Sequence, residues 1–61
     1  DLSPEEALIA HSLENNPDGL NINTLVAQTG IPVNKLSAQL FELELRGIVR
    51  PLAGGCYRII R

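Results

Sequence analysis

The residues whose types could do covalent or ligand chemistry are few and scattered. His11 is the only histidine, with no cysteine or second histidine at metal-ligand spacing. It reads as a helix-surface or boundary residue. Cys56 is the only cysteine, so neither an internal disulfide nor a cysteine-based metal site can form. On a strand, its thiol is expected packed or half-exposed rather than nucleophilic. Glu5 and Glu6 are adjacent carboxylates, but they fall at a helix start, where acidic side chains complement the helix dipole. Gly54-Gly55 reads as a turn and not a phosphate loop, because no helix follows it. The expectation is a non-enzymatic protein with no cofactor, no metal and no small-molecule substrate.

A second set of residues points to nucleic acid. Asn34, Lys35, Ser37, Ala38 and Gln39 fall together on one amphipathic segment, and Arg50, Arg58 and Arg61 follow it. Asn and Gln can pair with adenine, and Lys with guanine or phosphate. Arginines on strands are suited to the phosphate backbone. Charge placement agrees with this. Residues 1–30 hold Asp1, Glu5, Glu6, Glu14 and Asp18 and no Lys or Arg, whereas residues 31–61 hold Lys35, Arg46, Arg50, Arg58 and Arg61 against Glu42 and Glu44. The formal charge of −2 is thus −5 in the first half and +3 in the second. An anionic partner would meet the second half. Small domains are also lopsided by chance, so the asymmetry alone does not decide.

The elements that must position these residues come from a chain of 61 residues, 44% of them hydrophobic. That length is one domain with a thin core, leaving no room for a cleft between domains. The apolar share is too high for a disordered tail. No apolar run approaches the ~18 residues of a membrane helix, and no leader-like start is present. The lone cysteine fits a reducing compartment. Because the sequence starts at Asp1 without a methionine, it reads as a single domain, residues 1–61, cut from a longer protein.

Ser3-Pro4-Glu5-Glu6 predicts a helix start, with Ser3 capping, Pro4 at the first position and Glu6 closing a capping box. Ala7, Leu8, Ile9, Ser12 and Leu13 follow at helical spacing, and turn residues from Asn15 to Gly19 end the helix near Glu14. Leu20-Asn21-Ile22 predicts a short strand, with Asn23 capping a second helix that ends at Thr29-Gly30. Ile31-Pro32 opens a third helix running to Arg46, with Val33, Leu36, Leu40 and Leu43 as its inward stripe. After Gly47 the period changes to two. Residues 48–52 and 56–60 predict strands around the hairpin loop Ala53-Gly54-Gly55. Pro51 places its strand at the sheet edge, and the 20–22 strand on the far side of the last.

Two helices joined at Gly30 form a helix-turn-helix. With the preceding helix and the following hairpin, the fold class is α+β: a winged helix-turn-helix, three helices with a small three-stranded antiparallel sheet. In that arrangement the start of the third helix meets base edges, which places Asn34, Lys35, Ser37, Ala38 and Gln39 there, with the wing arginines at phosphates. The competing reading makes Asn34, Lys35 and Gln39 ordinary solvent-facing helix residues. The available cations are few, so binding to single- or double-stranded DNA by this domain alone should be weak and lost with salt. Glu42 would repel phosphate. Ala38, Phe41 and Leu45 lie together, roughly opposite the inward stripe. Either the first helix or the sheet margin covers them, or they form an apolar protein interface.

Four segments resemble one family: Leu2-Ser3-Pro4-Glu5-Glu6, the stretch Leu25 to Val33, the run Leu43-Glu44-Leu45-Arg46-Gly47-Ile48-Val49, and Gly54-Gly55-Cys56-Tyr57-Arg58. The chain is similar to the C-terminal winged-helix domain of the DNA-processing protein DprA, also called Smf. That resemblance implies a bacterial, cytoplasmic protein of natural transformation that binds incoming single-stranded DNA and helps load the recombinase RecA. It attributes those activities to a larger Rossmann-like domain, of which this chain has no motif, and makes the small domain auxiliary, for DNA or protein contact. RecA or a second copy would be met through the parent protein. Cys56 stands where the family often has a basic residue before the wing tyrosine, which weakens a phosphate contact there. Two alternatives remain: a protein-interaction or self-association module with little DNA binding, and a winged-helix transcription regulator. The last would need dimerisation, and no extra dimer helix is present.

Overall fold

The capping box forms as the sequence predicts. Ser3 Oγ accepts from the Glu6 backbone N–H at 3.1 Å, and Glu6 Oε1 accepts from the Ser3 N–H at 2.9 Å. From this start the computed structural model, which describes residues 2–60, builds helix α1 over Pro4–Glu14. Ile9, Ala10 and Leu13 are its buried residues, while Leu8 is half-exposed. Asn15 closes the helix, and a turn in which Gly19 N–H donates to the Asn16 carbonyl at 2.8 Å delivers the chain to the sheet.

Strand β1 is two residues, Leu20–Asn21, not three, and the second helix is capped by Asn21 rather than Asn23. Asn21 has the extended backbone of a strand residue, yet its Oδ1 accepts from the Thr24 N–H at 2.8 Å. One residue therefore ends β1 and starts α2, Ile22–Thr29, with no linker between them. Helix α2 stops at Gly30. Thr29 Oγ1 donates to the Leu25 carbonyl at 2.6 Å and accepts from the Ile31 N–H at 3.2 Å, which fixes the turn into α3.

Helix α3 spans Val33–Leu45, with Arg46 as its C-cap. Its exit is a Schellman motif: Gly47 N–H donates to the Glu44 carbonyl at 3.0 Å and Ile48 N–H to the Leu43 carbonyl at 2.9 Å. Gly47 takes φ 76°, which a residue with a Cβ adopts only at a cost. Leu36, Leu40 and Leu43 are fully buried, but Val33 is 48% exposed and falls outside the inward stripe. Helical side chains lean toward the N-terminus. On the first residue of α3, Val33 therefore points past the end of the packed layer.

Strands β2, Val49–Leu52, and β3, Cys56–Ile59, close the fold. The three-stranded sheet has order β1-β3-β2 and is antiparallel throughout. The Ile60 N–H to Ile48 carbonyl bond, 2.8 Å, carries the ladder one step beyond the strands. Pro51 is on the edge strand, where a missing N–H costs nothing. Ile9, Ala10, Leu13, Leu25, Ile31, Leu36, Leu40, Leu43, Val49 and Ile59 form one core drawn from all three helices and the hairpin. No polar or charged residue is buried with them among the described residues. This is an α+β winged-helix architecture.

Candidate nucleic-acid interface

The polar side chains of α3 are not all free for a ligand, because the first turn of α1 reaches several of them. Lys35 Nζ lies 3.0 Å from Glu5 Oε2, and Gln39 Nε2 donates to Glu5 Oε1 at 2.7 Å. Arg46 approaches Glu6 Oε1 at 3.5 Å, the same oxygen that closes the capping box. A carboxylate only accepts, so Gln39 must turn its amide nitrogen to Glu5. Its Oε1 is then buried without a hydrogen-bond partner among the described residues. Glu5 and Glu6 thus do more than complement the dipole of their own helix. They tie α1 to the flank of α3.

The Gln39 amide and the Lys35 ammonium together hold the Glu5 carboxyl below its ordinary range. A depressed carboxylate stabilises the fold above its unfolded pKa and loses that contribution as pH falls. Glu5→Gln keeps an acceptor but loses the charge. The thermal midpoint of this variant should lie below that of the parent at pH 7, and the gap should close as pH falls below ~4.3. Paired melts across that range check it, and a gap independent of pH would contradict the account.

Asn34, Ser37 and Ala38 are exposed at the start of α3 and have no partner of this kind among the described residues. Lys35 remains 58% exposed while bound to Glu5, and Gln39 is part-buried. Ala38, Phe41 and Leu45 are exposed as well, Phe41 by 61% and Leu45 by 71%. Neither α1 nor the sheet covers them.

The wing carries a feature that the sequence reading did not pair. Arg50 on β2 lies directly opposite Arg58 on β3. Their neighbours Val49 and Ile59 are buried, so by strand alternation the two arginines share the solvent face. Both are exposed, and neither has an ion-pair partner among the described residues. Like charges directly across a strand pair are destabilising, and an anion between them would relieve the repulsion. The signal was in the sequence: Leu52 and Cys56 bracket the three-residue loop, and two steps back sets 50 against 58. Cys56 is half-buried, with Sγ 3.9 Å from the Gly54 carbonyl. Arg61 lies outside the described residues. Among the described residues there is no pocket and no group of three or more His, Cys, Asp or Glu that could hold a metal. No described helix is long and apolar enough to cross a membrane.

The chain also matches a known family over most of its length. The model of the DprA winged helix domain matches residues 1–55. The chain belongs to this family. The match runs from the capping box through both helices of the helix-turn-helix and strand β2 to the hairpin tip at Gly55. It therefore includes Glu5, Glu6, Lys35, Gln39 and Arg50 of this DprA-type domain. Neither a curated protein nor a solved structure matches the chain.

Proposed function

We propose that this DprA-type winged helix is a non-catalytic DNA-contacting module, auxiliary to the DNA-processing activity of a larger parent protein. The observation that carries the reading is the Arg50–Arg58 pair, two like charges held opposite each other on the wing with no ion-pair partner among the described residues. They would straddle phosphates, with Asn34 and Ser37 available beside the backbone or at base edges. Lys35 and Gln39 take second place, because Glu5 competes for both. On this reading the parent acts in the bacterial cytoplasm during natural transformation, where it handles incoming single-stranded DNA and supports RecA loading.

With so few free cations, affinity should be modest and electrostatic. Fluorescence anisotropy with a labelled oligonucleotide at low salt tests this. Arg50→Ala with Arg58→Ala should weaken binding about tenfold and lower the slope of log K against log salt by about 1.4 for a single strand or 1.8 for a duplex. Lys35→Ala should change both far less. Unchanged affinity in the arginine double variant would remove the wing from the site.

A specific observation also favours protein contact. Phe41 and Leu45 stand exposed on the side of α3 that a groove-binding helix would present to DNA. Glu42 and Glu44 flank that side, and both would repel phosphate.

A further inference from the structure

We infer that the outward face of α3 takes a second copy of this chain, with the two α3 helices packed antiparallel about a two-fold axis. The inference deepens the protein-contact reading and does not depend on DNA binding. Asn34, Ala38, Phe41 and Leu45 are exposed, and their spacing of four, three and four residues is the a/d pattern of a helix-pairing seam. Run antiparallel, the seam sets Ala38 against Phe41 of the second copy and Asn34 against Leu45. Each large side chain thus meets a small or short one, and the layers interdigitate.

Charge selects the same direction. Lys35 and Glu42 lie on one edge of the seam, Ser37 and Glu44 on the other. A perpendicular two-fold places each edge beside its own copy. Lys35 of each chain then faces Glu42 of the other, making two ion pairs, and Ser37 can donate to Glu44. A parallel pair would set the Lys35–Glu42 edge against the Ser37–Glu44 edge, with acid near acid. Glu42 has no hydrogen-bond or ion-pair partner among the described residues, so it is available. Lys35 has three ammonium donors, and it keeps 58% side-chain exposure while it holds Glu5. The interface is one helix of 13 residues per chain. It sits at the small end of specific interfaces, below ~1,200 Å², so the association is weak.

Sedimentation and NMR of the whole chain without DNA, over a concentration series into the millimolar range, provide the test. Self-association is expected in the parent and lost in Phe41→Glu, whose site is outside the core. Lys35→Glu and Glu42→Lys should each lose it through like-charge contacts. Their equimolar mixture should regain it, associating at least about tenfold more tightly than either alone. The chain carrying both changes should self-associate as the parent does. A test that needs no variant is an isotope-filtered contact between Asn34 and Leu45, which stand ~16 Å apart within one helix and so can meet only between copies. A parent that stays monomeric, a mixture no tighter than its components, or a dimer without the Asn34–Leu45 contact would overturn the proposal.

Discussion

Replacing Leu40 with alanine should leave most of the molecules unfolded at 37 °C. Leu40 is fully buried at the centre of α3, in the cluster that joins all three helices to the hairpin. Truncating a buried leucine costs about 2–5 kcal/mol, because transfer energy is lost and a cavity is left. A single core in a chain below ~70 residues rarely supplies more than about 3–5 kcal/mol. The loss is therefore comparable to the whole stability. Leu45, on the same helix but 71% exposed, is the control: Leu45→Ala should stay within about 0.5 kcal/mol in dilute solution. Urea titrations followed by circular dichroism would compare them. A folded, cooperative Leu40→Ala domain would mean that the core is not the single unit described.

Gly19→Ala should be the most damaging small change on the surface, costing about 2–3 kcal/mol. Gly19 has φ 97°, and a Cβ there would sit 2.8 Å from the Tyr57 carbonyl oxygen and 3.0 Å from Leu52 Cδ1. The oxygen is backbone on the central strand, directly at the Leu20–Tyr57 register position. It cannot move aside without breaking the β1–β3 pairing that ties the helix-turn-helix to the wing. Gly54→Ala isolates the steric part. Gly54 also has positive φ, at 80°, but nothing lies within 4 Å of the added carbon. It should cost about 1 kcal/mol. Equal losses at the two sites would show that backbone conformation, not the close approach, dominates.

Much of the fold was legible because its signals are local. Ser3, Pro4 and Glu6 state a helix start within four residues, Gly47 states a helix end, and the change of period after it states a hairpin. Pro51 even fixed which strand lies at the edge. The misses have physical causes. Asn21 and Asn23 are both competent caps, and only the position of the sheet decides that Asn21 leaves the strand and caps at once. Val33 has the right helical angle for the core, but angle says nothing about where the packed layer ends.

The candidate site was legible in residue type and not in availability. Lys35 and Gln39 have the right chemistry and the right position, yet Glu5, on another helix far earlier in the chain, holds both. No local pattern contains that contact. The Arg50–Arg58 pairing follows from hairpin register once the loop length is known. It moves the weight of the site from the start of α3 to the wing.

DNA contact through the wing is read directly by an amide-shift NMR titration of the domain at low salt, first with a short single strand and then with a duplex. Shifts should concentrate on β2 and β3 around Arg50 and Arg58, with weaker ones at Asn34 and Ser37, all fading as salt rises. Shifts centred on Phe41 and Leu45 that persist in salt, or no shifts with either strand form, would contradict contact through the wing.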